Sequence, residues 1–301
     1  MKKLLVTGGA GYIGSRLCHR LQKEYPGCLL DVVDNLSSGH FKLLEGVRCN
    51  FICGDLCDYD TLPKINVKYD CIFHLASNVS TTNTDQYAEC KNNIEGFRNL
   101  LAAASIYKTK VVYSSSAATY GIVNEKVPLV ESLPLKPANV YGFTKVCIEN
   151  LAKSTSGLDW PIIGLRFFNV FGTGENFKGP MSSMIYQLAT GRQTLIFDGN
   201  QRRDFVSINL VIDKLISAYE NGVAGAVYNC GSGESVSFNE IVKIIQKYKQ
   251  YFKVEYIPNP YSFFQEYTCS DQSLSDKFLP IKNKYNTLEE VENYIKFLIN
   301  L

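Results

Sequence analysis

The segment Thr7-Gly8-Gly9-Ala10-Gly11-Tyr12-Ile13-Gly14 follows a short apolar run, Lys3 to Thr7. It opens an amphipathic one, Tyr12 to about Tyr25, with Ile13, Leu17 and Leu21 on one face. Glycines in G-x-G-x-x-G order permit a tight turn, close approach of backbone to a pyrophosphate, and close packing of helix on strand. The start of a helix offers N–H groups and a partial positive charge to an anion. Asp34 ends the next apolar run, 20 residues after Gly14. An acid at that spacing meets ribose hydroxyls in dinucleotide sites. A chain that opens this way is committed to strand, turn, helix and a second parallel strand.

The rest continues the pattern. Leu29 to Val33, Phe51 to Cys53, Cys71 to Leu75, Lys110 to Tyr113 and Pro161 to Phe168 read as strands. Glu89 to Tyr107 and Tyr141 to Ser154 read as helices. Such alternation predicts parallel βαβ units with right-handed crossovers. The expected fold is α/β, a doubly wound parallel sheet of Rossmann type with a smaller C-terminal α/β lobe. The dinucleotide-binding domain is expected over residues 1–171, with segments returning from the C-terminal part. The substrate lobe is expected mainly over 172–301. Gly172, Gly174, Gly179 and Pro180 mark a long loop, followed by a helix from Met181 to Thr190. Ser237 to Glu240 and Thr287 to Glu290 read as capping boxes.

Composition narrows the function classes. The 301 residues are 46% hydrophobic and 20% charged, with 31 basic and 29 acidic side chains and a net charge of +2. This balance gives no general attraction to nucleic acid or to an anionic membrane. No run approaches the roughly 18 apolar residues of a span, and the N-terminal apolar run is too short for a signal peptide. A cytoplasmic protein is expected. Cys49, Cys53 and Cys57 lie four residues apart, a spacing unlike zinc or iron–sulfur motifs. No metal is expected.

The cofactor set read from the sequence is Gly8, Gly11, Tyr12, Ile13, Gly14, Asp34, Asn35, Asp55, Leu56, Leu75 and Ala76, joined by Tyr141 and Lys145. The Asp34 carboxylate repels a 2′-phosphate, which favours NAD; His40 and Lys42 keep NADP as the alternative. Asp55 reads either as a neighbour of adenine or as a helix cap. Tyr141-Gly-Phe-Thr-Lys145 places tyrosine and lysine one turn apart on one helix face. A nearby ammonium stabilises a phenolate, so Tyr141 could take the proton of an alcohol while a hydride leaves. Ser114, Ser115 and Ser116 end the fifth strand, on the edge where such sheets bind ligands. Taken singly, each is equally a surface pair or a turn hydroxyl.

These motifs, with D-N-L at 34–36, H-L-A at 74–76, S-S-S-A-A-T-Y-G at 114–121, R-F-F-N-V-F-G at 166–172 and R-D-F-V at 203–206, resemble the extended short-chain dehydrogenases/reductases over nearly the full length. The resemblance is to the nucleotide-sugar epimerases among them. It implies a nucleotide-diphosphate-sugar substrate, Ser116, Tyr141 and Lys145 as the catalytic residues, and a homo-oligomer. Ser116-Ala117-Ala118 stands where the sugar dehydratases carry Thr-Asp-Glu, so elimination of water is not expected. Further segments, among them Phe177 to Ser183 and Val254 to Tyr261, resemble the heptose 6-epimerases. In those a lysine matching Lys178 is a second acid/base; its plain reading is a solvated loop cation.

The resemblance places Arg203 at the diphosphate and Asn169 at the sugar nucleotide. Ser80 reads as a sugar contact or a helix start, and Phe197 and Phe264 as base-stacking or core residues. The chain departs from the heptose enzymes at Ser37 and Ser38, where a lysine is usual, at Phe167 and at Phe264. The alternatives are a 4-epimerase or 4-dehydrogenase and, in another class, a non-catalytic dinucleotide sensor. A sensor has no use for Ser116, Tyr141 and Lys145 together.

Overall fold

The computed structural model describes residues 1–79, 85–177, 183–192, 195–258 and 265–301, and only the backbone of Leu195 and Phe197. In chain order the first half forms β1 (Lys3–Thr7), α1 (Tyr12–Glu24), β2 (Leu29–Asp34), β3 (Asn50–Cys53), α2 (Leu62–Ile65), β4 (Cys71–His74), α3 (Gln86–Cys90), α4 (Gly96–Ser105), β5 (Val111–Ser116), α5 (Val140–Thr155) and β6 (Ile162–Phe167). The second half adds β7 (Asn169–Phe171), α6 (Met184–Thr190), β8 (Leu195–Phe197), β9 (Arg202–Arg203), β10 (Phe205–Ser207) and α7 (Ile208–Asn221). After these come β11 (Val227–Cys230), β12 (Val236–Ser237), α8 (Phe238–Tyr248), β13 (Glu255–Ile257), α9 (Ser273–Phe278) and α10 (Thr287–Ile299).

Seven strands make one sheet in the order β11-β6-β5-β4-β1-β2-β3. All its pairings are parallel. Alternation along β1 puts Leu4 and Val6 into one core, with Leu17, Leu21, Val211 and Leu215. Leu5 faces the other, with Phe97, Leu100 and Ile148. Each buried leucine contributes about 1.5–3 kcal/mol. The sheet is therefore doubly wound, as the sequence predicts. Strand β11 comes from late in the chain and lies beside β6, with Tyr228 opposite Leu165. A third core, with Phe171, Ile185, Phe205, Phe238, Ile241 and Ile295, gathers α6, α8 and α10 beyond the sheet. None of the described helices is long and apolar enough to cross a membrane.

Three local expectations shift. The helix expected from Glu89 begins at Gln86 and carries a π-helical turn, Lys91–Glu95, between α3 and α4. The extra residue turns Asn93 inward, where its amide donates to Thr144 Oγ1 at 3.0 Å and accepts from Asn78 N at 2.7 Å. The helix expected to start at Met181 is described from Met184. Helix α10 is capped one residue early: Asn286 accepts from Glu289 N at 2.9 Å, in place of a Thr287–Glu290 box. Asparagine is at least as good an N-cap as threonine. The Ser237–Glu240 capping box forms as expected.

Candidate active site

The glycine loop sits at the carboxyl ends of β1 and β4. Gly8 takes φ +68°, and a Cβ there would lie 2.6 Å from Ala76 N. A Cβ at Gly14 would overlap the Gly8 carbonyl oxygen. Only glycine lets α1, β1 and β4 meet this closely. Helix α1 has Gly11 as N-cap, which brings no side-chain acceptor to the first turn. Tyr12 is buried and Ile13 half-buried at the same turn. Leu75 N donates to Thr7 O at 3.0 Å, which holds Leu75 and Ala76 against the loop.

Asp34 is buried at the end of β2, and its carboxylate accepts from Ala10 N at 2.9 Å and Leu36 N at 2.8 Å. Burial raises its pKa against the pull of those two N–H groups. Gly39 packs on this carboxylate, and His40 N donates to Ala10 O at 2.9 Å. Asn35 donates to Asp55 Oδ2 at 2.8 Å, and Asp55 Oδ1 caps Cys57 N at 2.8 Å. Leu56 is buried beside them. A backbone cradle that a Cβ would fill, an open helix start and a carboxylate at the next strand end fit a dinucleotide.

Across the sheet, Ser114, Ser115 and Ser116 end β5, and three successive turns of α5 face them. Tyr141 hydrogen-bonds Ser116. Lys145 Nζ donates to Ser114 O at 2.9 Å. Ser115 Oγ donates to Glu149, which also takes Arg166 Nε at 2.9 Å and a second guanidinium nitrogen at 2.8 Å. Asn139 fixes the start of α5 by accepting from Gly142 N at 2.8 Å. The Lys145 ammonium stands 5.7 Å from the centre of the Tyr141 ring.

Burial sets the electrostatics. It pushes the Tyr141 phenol up to about 12, Ser116 pulling down and the Glu89 charge pushing up. Burial brings Lys145 down to about 7, with Glu149 acting the other way. His74, on Thr7 Oγ1 at 2.8 Å, falls to about 3 through burial and the Lys145 charge.

The remaining expected residues scatter. Asn169 is exposed at the start of β7 and donates its N–H to Asp204 O at 3.0 Å. Arg203 is 9% exposed, donates to Arg202 O at 2.9 Å, and is brought down to about 10 by burial. The neighbouring Asp204 is held by Ser232 N at 2.7 Å and Ser270 N at 2.9 Å. Phe197 lies in β8, its side chain undescribed. Ser80, Lys178 and Phe264 lie outside the described residues. Asn93, Thr144, Glu149, Arg166 and His74 were not among the expected residues. Glu149 left a local signal, one turn beyond Lys145 in Y-x3-K-x3-E, and His74 and Arg166 stood in the H-L-A and R-F-F-N-V-F-G motifs without a role of their own.

The NAD dependent epimerase/dehydratase family matches residues 4–231. The ADP-L-glycero-D-manno-heptose-6-epimerase of Alkalilimnicola ehrlichii is 32% identical over 90% of this chain and 89% of that protein. The crystal structure of the Helicobacter pylori ADP-L-glycero-D-manno-heptose-6-epimerase superposes with a TM-score of 0.91 at 36% identity, covering 100% of this chain and 97% of that one. The UDP-N-acetylglucosamine 4-epimerase of Methanobrevibacter ruminantium gives a TM-score of 0.90 at 29% identity, over 99% and 98% of the two chains.

Proposed function

The chain belongs to the NAD dependent epimerase/dehydratase family, and from that premise we propose that it epimerises the sugar of a nucleotide-diphosphate sugar, in a reaction most like that of the ADP-glycero-manno-heptose 6-epimerases. The observation that carries this reading is the three-turn grip of α5 on β5, opposite a glycine cradle fit for NAD. Bound NAD would accept the hydride and return it. NAD is preferred over NADP because Asp34 stands where a 2′-phosphate would be repelled.

Tyr141 takes the proton of the sugar hydroxyl while Ser116 holds that oxygen, and gives a proton back when the ketone is reduced. A phenol held near 12 is a poor base, so the Lys145 ammonium and a cationic nicotinamide are required to favour the phenolate. Lys178 is the second proton carrier, for the opposite face. Arg203 meets the diphosphate, and Asn169 the sugar nucleotide. Residues 1–171, with β11 returning, form the cofactor half; residues 172–301 mainly form the substrate lobe. Tyr87 and Phe143, 79% and 51% exposed on α3 and α5, support contact between copies of the chain.

Purified protein is incubated with NAD or NADP and a panel of ADP-, GDP-, UDP- and dTDP-sugars, and products are followed by NMR. Epimerised ADP-heptose is expected. Turnover of UDP-galactose without heptose turnover would replace the heptose reading by a 4-epimerase.

A further inference from the structure

Among the described residues Glu89 is a buried carboxyl with no hydrogen bond to its side chain; Glu175 also has an oxygen without a partner, Oε2, but is still held by Tyr294. Asp31 accepts from Tyr69 at 2.7 Å, and Asp34 from two backbone N–H groups. Glu149 holds Arg166, and Asp204 holds Ser232 and Ser270. Asp213 holds Arg20 and Tyr285, and Glu175 bonds Tyr294. Glu89 is 1% exposed, and its Oε1 is buried without a hydrogen-bond partner. A buried carboxyl without a partner is costly, and native proteins rarely keep one to no purpose.

Its place says what the purpose is. Asn93, on the π turn that continues α3, hydrogen-bonds Thr144 on α5 at 3.0 Å. Both segments are crossover helices of the same parallel sheet and run the same way. One turn back from Asn93 is Glu89; one turn back from Thr144 and Lys145 is Tyr141. The register therefore sets Glu89 level with Tyr141, on two elements that pack together. The influence of the Glu89 charge on the Tyr141 phenol agrees with this placement.

We propose that Glu89 is a specificity-determining residue that accepts a hydrogen bond from the sugar hydroxyl adjacent to the carbon oxidised at Tyr141. The proposal rests on the nucleotide-sugar reading above. A carboxylate is acceptor-only when ionised, so it selects a sugar carrying a free hydroxyl at that carbon. A ligand hydroxyl supplies the partner that the fold withholds.

The test compares wild type with Glu89→Gln and Glu89→Met. Initial rates are measured on the nucleotide sugar that wild type turns over, and on its analogue lacking the adjacent hydroxyl; melting temperature without substrate is read in parallel. Glu89→Met is expected to lower kcat/KM on the full substrate by about 10- to 100-fold, the worth of a hydrogen bond to a charged group. It should lose little further on the deoxy analogue, and its melting temperature should hold or rise. Glu89→Gln, which keeps an acceptor oxygen, should recover part of the rate. Glu89→Met with unchanged kcat/KM overturns the proposal. So does a variant that melts earlier yet discriminates the two sugars as wild type does, which marks a structural role. Absence of wild-type turnover on every nucleotide sugar overturns the functional reading itself, and this proposal with it.

Discussion

Glu149 and Arg166 form a two-point ion pair at 2.8 and 2.9 Å, with side chains 6% and 5% exposed, one turn beyond Lys145 on the Tyr141–Lys145 face of α5. Glu149→Ala strands the guanidinium without its counter-charge and is expected to cost about 3–5 kcal/mol of stability, measured by denaturant unfolding. Glu149→Gln keeps the shape and removes the charge. Glu149 acts to raise Lys145, which burial brings down to about 7, so losing that charge lowers Lys145 further. The ammonium is then lost at lower pH, and the alkaline fall of kcat moves down. A limb that stays put or moves up would contradict the role given to Lys145.

Tyr141→Phe removes the proposed proton carrier and leaves the ring in place. A fall in kcat of about 10²- to 10⁴-fold is expected, with NAD affinity retained in a fluorescence titration. Lys178→Ala is expected to keep the first oxidation and block inversion, so reduced nicotinamide accumulates without epimer. Intact epimerisation in that variant would remove the two-carrier scheme.

Gly14→Ala places a methyl on the Gly8 carbonyl. The loop must open for it to fit, and NAD affinity is expected to fall more than about tenfold as the backbone leaves the pyrophosphate. Calorimetric titration measures this. An unchanged Kd would mean that α1 does not hold the phosphates.

His74 carries an acid-stability prediction. Its folded pKa of about 3 lies below the ordinary 6.5. Between those values the unfolded chain takes up a proton that the folded chain refuses. Stability is therefore lost as pH falls from 6.5 toward 3, by about 4 kcal/mol at most. His74→Asn is expected to flatten that part of the pH–stability curve, read by urea unfolding at several pH values.

Legibility in the sequence followed locality. The juxtaposition of the glycine loop with Asp34, and of Tyr141 with Lys145, was readable because each arrangement sits within one turn or one βα unit. The inward faces of β1 and α1 were readable for the same reason. Asn93 was not, because the π turn that aims it at Thr144 arises from packing between two helices. Arg166 and His74 become neighbours of the site only once β4, β5 and β6 lie side by side. Asn286 took the cap from Thr287 because adjacent candidates compete on differences of tenths of a kilocalorie.

Strand β11 carries a consequence for how the protein is made. As a ribosome extends the chain, six of the seven sheet strands have emerged by Phe167, yet the neighbour of β6 is synthesised only after α7. Until Cys230 clears the exit tunnel, β6 is an unpaired edge of the kind that invites wrong partners. The nascent sheet therefore waits on the segment that closes it, and a chaperone is best placed to act in that interval.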